Sequence, residues 1–400
     1  MTPAGNPPDR FEFATATRLV FGAGTAAEAG SMARPFGERA LLVTGSRPER
    51  AAPLTASLES AGIRVFPFPV AGEPTVDRIR AIVDAARPLA PELVVACGGG
   101  SVIDAGKAVA GLLGNPGDPF DHLEVIGRGR PLERPALPWI ALPTTAGAGA
   151  EVTRNAVLTS PEHRVKASLR SPLLLARIAI IDPQLTLSLP ADVTAATGLD
   201  ALTQLIEPFV CRRPNPLVDP LCLDGIRRIA RSLRRACDAG HDLDARSDLA
   251  FAALLGGLAL ANAGLGAVHG LAAPLGGAHP APHGAVCAAL LAPVMATNLT
   301  ALATRAPDHP ARLRYVQVAR TLTGHPGASA ADGVDWVAGL VRDLAIPTLG
   351  TYGVRPEHFD DLAAKAAAAS SMKANPLPLT HTEVVGILET AYASPCTAPR

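Results

Sequence analysis

Residues 93 to 107 read Leu-Val-Val-Ala-Cys-Gly-Gly-Gly-Ser-Val-Ile-Asp-Ala-Gly-Lys. The apolar run at 93 to 96 predicts a buried strand, and the pattern from 102 to 113 predicts a helix. Glycines between a strand and a helix let the backbone approach a pyrophosphate, and the helix N-terminus offers free N–H groups to an anion. The stretch therefore indicates either a tight turn or a dinucleotide-binding turn. The residues of this turn are Gly98, Gly99, Gly100 and Ser101.

Strands and helices alternate on both sides of this unit. Residues 17 to 22, preceded by Phe11 and Phe13, are interpreted as an opening hairpin or edge strands. Alternation of this kind predicts βαβ units around a parallel sheet, whose ligands bind beyond the carboxyl ends of the strands. The further predicted strands are 39 to 44, 64 to 68, 139 to 142 and 177 to 181, and the further predicted helices are 49 to 61 and 75 to 89.

The second half of the chain is predicted to be almost entirely helical. Four hundred residues suit two domains. We therefore expect an α/β dinucleotide-binding domain at 1 to 183 and an all-α domain at 184 to 400. The predicted helices are 191 to 210, 217 to 237, 247 to 263, 285 to 298, 312 to 322, 332 to 344, 357 to 368 and 382 to 393.

Composition excludes several classes of partner. Charged residues make up 18% of the chain and the formal net charge is zero, so nothing indicates binding to nucleic acid. The first ten residues lack the apolar core of a signal peptide. The uncharged run from Phe251 to Val268 is interpreted as a buried helix and not as a membrane span. Six cysteines without paired spacing are typical of reduced thiols, so a cytoplasmic protein without a membrane partner is predicted.

Three of the ten histidines, His269, His279 and His283, lie within an apolar stretch rich in small residues at 263 to 288. Surface histidines on a glycine- and proline-rich loop are one interpretation. The other is a metal ion or proton transfer, because a buried imidazole needs partners for both of its nitrogens.

Asp200 and Gln204 favour the second interpretation. They are four residues apart in a predicted helix, so both side chains share one face. Asp200, His269 and His283 together form an oxygen and nitrogen set of the kind that holds a catalytic zinc or ferrous ion and leaves a position open.

These stretches resemble the iron-containing (group III) alcohol dehydrogenases, over roughly residues 11 to 394. The family patterns are G-x-D-A-x-x-H-x-x-E and H-x-x-x-H-P-x-G-x-x-x-x-x-P-H-G. Two positions depart from them: Gln204 stands where a metal-binding His is usual, and Ala273 stands where a second His is usual. Related glycerol dehydrogenases use Asp-His-His and zinc, so Fe²⁺ and Zn²⁺ both stay open. The ligand positions that the resemblance implies are Asp200, Gln204, His269 and His283.

The same resemblance covers the predicted cofactor loops. Residues 98 to 107 match the family element G-G-G-S-x-x-D-x-x-K, and residues 143 to 151 resemble P-T-T-A-G-T-G-S-E. Hydroxyl and amide groups in the second loop can bind phosphate or ribose oxygens. The resemblance adds four residues to the predicted cofactor site: Asp104, Thr144, Thr145 and Lys166.

The end of the first long strand bears on the choice of cofactor. A carboxylate at position 45 would accept the ribose hydroxyls of NAD and repel the 2′-phosphate of NADP, but the chain has Gly45 and Ser46, with Arg47 nearby. NAD and NADP are therefore both open as cofactors, and we favour an enzyme that uses both.

The resemblance implies reversible hydride transfer between a nicotinamide cofactor and a small alcohol or carbonyl compound activated by the metal. Because Ala273 cannot relay protons, His279 is the candidate general acid or base. One alternative is a metal-free maleylacetate reductase acting on an unsaturated keto acid. The others are a lyase resembling dehydroquinate synthase and a homologue without catalytic activity. A homodimer is expected, because the N-terminal strands resemble those through which family members dimerise.

Overall fold

The computed structural model describes residues 10 to 163 and 165 to 393, and these form two compact units. One unit is Ala14–Ser188, so the boundary expected at 183 falls at 188. The other comprises residues 189 to 393 together with residues 10 to 13, which were expected in the α/β domain. The predicted fold class, a parallel-sheet domain followed by a helical domain, is confirmed.

The unit Ala14–Ser188 is built on a six-stranded sheet in the order β1-β8-β5-β4-β2-β3, and every neighbouring pair in it is parallel. The central strands are apolar and buried, as expected for a sheet covered on both faces. Its strands are β1 Arg18–Phe21, β2 Arg39–Thr44, β3 Arg64–Pro69, β4 Leu93–Gly98, β5 Trp139–Pro143 and β8 Ile178–Ile181, and its helices are α1 Ala29–Ala33, α2 Ala52–Ser60, α3 Val76–Ala86, α4 Gly100–Gly114 and α5 Pro119–His122.

The strand order places a topological switch point between β2 and β4. From β2 the chain proceeds outward to β3, and it then returns through α3 to β4 on the opposite side of β2. Loops that diverge from two adjacent parallel strands leave a crevice at their carboxyl ends, where open α/β sheets bind ligands. In this sheet the crevice is bordered by Gly45 after β2 and Gly98 at the end of β4.

Two strands of this unit were not predicted. β6 (Asn155–Ser160) and β7 (Val165–Arg170) form a separate antiparallel pair, in which alternate residues of β6 are buried. Of the two predictions for the opening residues, a hairpin or edge strands, the hairpin was wrong. β1 is an edge strand that pairs in parallel with β8, and Phe11 and Phe13 lie outside any strand.

In the second unit, residues 189 to 393 contain helices and no strands among the residues described. One of the helices, α9, was not predicted, because its glycines and Pro274 are typical of a loop. The helices are α6 Ala191–Val210, α7 Val218–Asp238, α8 Leu243–Asn262, α9 Ala267–Ala278, α10 His283–Arg305, α11 Ala311–Thr323, α12 Ala330–Asp343, α13 Phe359–Ala368 and α14 His381–Tyr392.

Helix α10 has the length and apolar character of a membrane span, but 72% of its most apolar window is buried inside the protein. That degree of burial is typical of the core helix of a globular domain. The run expected to lead as one helix into His269 is divided, because α8 ends at Asn262 and α9 begins at Ala267. Cys396 lies outside the described residues, and the cysteines that are free thiols are Cys97, Cys211, Cys222, Cys237 and Cys287.

Candidate active site

Three helices of the second unit bring the predicted metal ligands together. Asp200 and Gln204 lie on α6, His269 is in the first turn of α9, and His283 is the first residue of α10. The part of α6 from residue 198 to 210 is buried throughout. The carboxylate of Asp200 is therefore only 3% exposed and needs polar partners.

Small residues allow the three helices to approach closely. A Cβ added at Gly284 would lie 2.7 Å from the carbonyl oxygen of Ala196, so α10 packs directly on the backbone of α6. A Cβ at Gly266 would lie 2.8 Å from Oε1 of Glu207, at the start of α9. Larger residues at these two glycines would push the histidine-bearing helices away from α6.

The donor atoms of the cluster lie at the spacing of ligands around one ion. Nε2 of His269 is 3.6 Å from Oδ1 of Asp200, and Nε2 of His283 is 3.8 Å from the same oxygen. The two imidazole rings are 5.5 Å apart and tilted by 54°. These distances exceed normal hydrogen bonds, so the three atoms face a common centre and do not pair with one another.

Two buried oxygens in the cluster have no hydrogen-bond partner, namely Oδ1 of Asp200 and Oε1 of Gln204. Leaving a buried acceptor unpaired costs about 1–3 kcal/mol, and more when the acceptor is charged. A divalent metal ion would satisfy the carboxylate oxygen and the two Nε2 atoms together. The residues present therefore fit the metal that the sequence predicts.

Glu207, to which the sequence analysis gave no role, orients the His269 ring. Its Oε2 lies 2.7 Å from Nδ1 of His269, and its Oε1 accepts a hydrogen bond of 2.7 Å from the backbone N–H of Val268. A carboxylate that accepts the Nδ1 proton leaves the Nε2 lone pair directed at the metal position. Glu207 is seven residues after Asp200, on the same face of α6, and this spacing was the available signal.

The electrostatics of the cluster favour a cation. Burial alone would lower the pKa of His269, but Cys287, Asp200 and Glu207 outweigh it and raise that pKa well above its ordinary value. Negative charge at Cys287 and at Asp200 likewise raises the pKa of His283 to about 9. Burial opposes ionisation of Asp200, yet the two histidines hold its pKa below the usual range. A site that stabilises positive charge in its interior is suited to a metal cation.

Gln204 lies beside Asp200 and is 2% exposed. A hydrogen bond from its amide is among the interactions that lower the pKa of Asp200. Cys287, which the sequence analysis passed over, adds a sulfur atom to the cluster. Its donor atom and those of Asp200, His269 and His283 all lie within 4.8 Å of one another.

His279 does not belong to this cluster. It follows α9 as its C-cap, is half-buried, and lies against His358 with the ring centroids 5.0 Å apart and the rings tilted by 42°. Partial burial and the neighbouring His358 lower the pKa of His279. The ring is therefore neutral at pH 7 and able to accept a proton.

In the first unit, the two predicted cofactor loops meet at the carboxyl ends of β4 and β5. The backbone N–H of Thr144 donates a hydrogen bond of 2.9 Å to the carbonyl of Gly98. Added Cβ atoms at Gly99 and Gly100 would lie 3.4 Å from Cγ2 of Thr145 and 3.0 Å from Cβ of Ala148. Side chains at these glycines would fill the space between the loops, so their absence leaves the amide groups of the α4 N-terminus accessible to an anion.

Asp104 and Lys166 make contacts within the same unit. Oδ2 of Asp104 accepts a hydrogen bond of 3.1 Å from the backbone N–H of Val157, and Nζ of Lys166 lies 3.3 Å from a carboxylate oxygen of Glu73. Gly45 and Ser46 directly follow β2 at the switch point, and Ser46 is exposed.

Comparison with known proteins covers nearly the whole chain. The family model of iron-containing alcohol dehydrogenase matches residues 16–183, and the C-terminal model of the Fe-containing alcohol dehydrogenase family matches residues 194–392. The choline dehydrogenase of Bacillus subtilis (strain 168) is 34% identical over 372 residues, 92% of this chain and 91% of that protein. Long-chain-alcohol dehydrogenase 1 of Geobacillus thermodenitrificans (strain NG80-2) is 36% identical over 354 residues, 86% of this chain and 87% of that protein. The crystal structure of a 1,3-propanediol oxidoreductase has a TM-score of 0.89 and 31% identity, covering 96% of this chain and 100% of that one.

A nicotinamide-dependent dehydrogenase that activates its substrate with a metal ion is the class that this fold and these matches define. The chain belongs to the iron-containing alcohol dehydrogenase family, as the resemblance predicted. It is an oxidoreductase that interconverts an alcohol and its aldehyde or ketone by hydride transfer. Nothing in these matches favours the maleylacetate reductase alternative.

Proposed function

We propose that Asp200, His269 and His283 hold a divalent metal ion, Fe²⁺ or Zn²⁺, at which this enzyme activates a small alcohol or aldehyde. The observation that carries the proposal is the buried, unpaired Oδ1 of Asp200, which faces both imidazole Nε2 atoms. When bound, the metal supplies Lewis acidity that polarises a carbonyl group or lowers the pKa of an alcohol. The three side chains fix the position of the ion, and Glu207 holds the His269 ring in the required tautomer.

For the cofactor, we propose that the turn at residues 98 to 101 and the hydroxyls of Thr144 and Thr145 hold the pyrophosphate and ribose of NAD or NADP. The close approach of the two loops at the carboxyl ends of β4 and β5, next to the switch point, supports this assignment. Asp104 anchors β6 to the first turns of α4, and Lys166 is expected near the nicotinamide ribose. Hydride transfer additionally requires the nicotinamide ring to reach the carbon of the activated substrate.

The proposal is tested by metal content per subunit of gently purified protein, measured by elemental mass spectrometry together with NAD(P)H-linked turnover of small aldehydes. We expect near-stoichiometric iron or zinc, and loss of both metal and turnover after chelation. Metal-free protein that oxidises NAD(P)H with an unsaturated keto acid would contradict the proposed site.

Glu207→Gln is expected to weaken metal binding about 10–100-fold, the effect typical of losing the carboxylate behind a histidine ligand. The amide keeps the shape of the side chain but cannot hold the Nδ1 proton of His269 as strongly. Competition with a fluorescent chelator would measure the change in metal affinity. Glu389→Gln, on α14, is the control and should leave that affinity unchanged.

Gly45→Asp is expected to convert dual cofactor use into a preference for NADH. The added Cβ would lie 3.8 Å from Val102, an ordinary contact, so the position accepts a side chain. A carboxylate there repels the 2′-phosphate, which costs roughly 1–3 kcal/mol, or about 10–100-fold in kcat/KM for NADPH. Steady-state kinetics with both cofactors measure the shift. Gly45→Asn, which lacks the charge, should shift the ratio far less; an equal shift would assign the effect to size.

We propose His279 as the general base in alcohol oxidation, since its lowered pKa keeps the ring neutral at pH 7. A base acts when unprotonated, so kcat/KM should fall as the pH drops through that pKa, below the ordinary value of 6.5. His279→Phe should lower the rate and remove this acidic limb from the pH profile. An unchanged profile would remove the catalytic role of His279.

The enzyme is further proposed to form a homodimer in the cytoplasm. β1 is an edge strand of the parallel sheet, and Leu19 on it is 39% exposed. Edge strands offer backbone groups to a second chain. Light scattering during size-exclusion chromatography would give the molar mass of the particle. A monomer at micromolar concentration would contradict the proposed dimer.

A further inference from the structure

The thiol of Cys287 lies against both histidines of the proposed metal site. Its Sγ is 3.6 Å from Nε2 of His283 and 4.0 Å from Nε2 of His269, and the side chain is fully buried. Cys287 follows His283 by four residues on α10, so the two side chains share one face of the helix. The thiol is therefore held where the two imidazoles and the unpaired oxygen of Asp200 converge.

The spacing of the four atoms matches a single tetrahedral centre. Zinc bonds of about 2.0–2.3 Å to oxygen, nitrogen and sulfur imply ligand-to-ligand distances of roughly 3.3–3.6 Å. In this cluster, His269 and His283 lie 3.6 and 3.8 Å from Asp200, and 4.0 and 3.6 Å from Cys287. A contraction of a few tenths of an ångström would bring these four pairs to ligand spacing, and all four donor atoms lie within 4.8 Å of one another.

Gln204 is the competing candidate for the fourth ligand position. Its Oε1 is buried and has no hydrogen-bond partner, so it offers an amide oxygen. An amide oxygen is neutral and leaves one positive charge of a divalent ion unbalanced, whereas a thiolate beside the Asp200 carboxylate neutralises it.

We propose, building on the metal site of the proposed function, that Cys287 is the fourth protein ligand and binds the metal as a thiolate. On metal binding the S–H bond breaks, a sulfur–metal bond forms and the proton passes to solvent, with no change of oxidation state. The thiolate and the Asp200 carboxylate together neutralise a divalent ion in a buried site, which reduces the cost of burying its charge. A thiolate donor at this site would favour zinc over the harder ferrous ion.

Cobalt substitution tests this ligand without relying on activity. Protein stripped by a chelator is reconstituted with Co²⁺, and its near-ultraviolet absorption is recorded beside its cobalt content. We expect a thiolate-to-cobalt charge-transfer band in the wild type and in Cys237→Ser, whose thiol is on α7 outside the cluster. The band should be absent in Cys287→Ser.

Stoichiometric cobalt without the band in the wild type would overturn the thiolate ligand and leave the Asp-His-His site standing. A band that persists in Cys287→Ser would overturn it as well, whereas failure to bind cobalt would overturn the site itself. If Cys287→Ser does not fold, X-ray absorption at the zinc edge of the wild-type holoenzyme shows whether sulfur is bound to the metal. A sulfur neighbour at about 2.3 Å supports the proposal, and a shell of nitrogen and oxygen alone at about 2.0–2.2 Å overturns it.

Discussion

Asp200→Ala is expected to abolish stoichiometric metal binding and to lower kcat/KM for alcohol oxidation about a thousandfold or more. Oδ1 of Asp200 faces the Nε2 atoms of both histidines, at 3.6 and 3.8 Å. Without it, the site keeps the two imidazole nitrogens but loses the carboxylate charge that offsets the charge of a buried divalent ion. Lewis-acid stabilisation of the reacting oxygen contributes several kcal/mol, and about 4 kcal/mol corresponds to a thousandfold in rate.

Two variants separate this effect from loss of folding. Asp200→Asn keeps the volume of the side chain and should retain the helix packing while still losing most of the metal. Asp224→Ala, on the surface of α7, removes a carboxylate from the same unit and should retain both metal and rate. Elemental mass spectrometry, circular dichroism and steady-state kinetics on all three variants distinguish loss of the ligand from loss of folding. Asp200→Ala protein with full metal content and full activity would exclude Asp200 as a ligand.

Helical spacing predicted one part of the candidate site, whereas His269 and His283 were predicted from the histidine-rich stretch and the family pattern. Asp200 and Gln204 are four apart in a continuous apolar helix, and the prediction of that helix agrees with α6 at both ends. Cys287 escaped notice because the helix that carries it was predicted to begin at 285. It begins at His283, so His283 and Cys287 belong to one helix. Their separation of four residues then places both side chains on the same face.

Tertiary packing explains the elements that local patterns missed. Helix α9 contains Pro274 and several glycines, which disfavour a helix in isolation. It forms because α10 and α13 pack against it and because Oδ1 of Asn375 accepts a hydrogen bond from the backbone N–H of Ala267 at its first turn. The β6 strand has few β-branched residues and gains its order from packing against α4.

Lys107 belongs to the glycine-rich element that was expected to hold the dinucleotide, but its side chain is turned into the protein and is 0% exposed. Its Nζ donates to the carbonyl oxygens of Ala150 and Asn155 and to the hydroxyl of Thr153, at 2.7 to 2.8 Å. Oδ1 of Asp104 lies 3.4 Å away. One ammonium group thus ties α4 to the segment that follows the second cofactor loop.

Lys107→Met is expected to lower the free energy of unfolding by about 3–5 kcal/mol, the cost typical of removing one partner from a buried charged network. Methionine fills a similar volume but removes the charged donor that Ala150, Thr153, Asn155 and Asp104 share in the interior. Ala150 keeps a hydrogen bond from Thr153, and Asp104 keeps one from Val157. For a domain of this size we expect the melting temperature to fall by roughly 10–15 °C. Urea denaturation and calorimetry measure both quantities.

The same variant should also weaken cofactor binding, because the segment tied by Lys107 continues directly from the loop that bears Thr144 and Thr145. Lys365→Met is the matched control: Lys365 is exposed on α13, where its Nζ pairs with Asp361, so its loss should leave the unfolding midpoint in place. If Lys107→Met unfolds at the wild-type midpoint yet loses dinucleotide affinity, the lysine contacts the cofactor directly. If both fall together and saturating cofactor restores part of the stability, Lys107 acts by holding the loop, as its contacts with the backbone indicate.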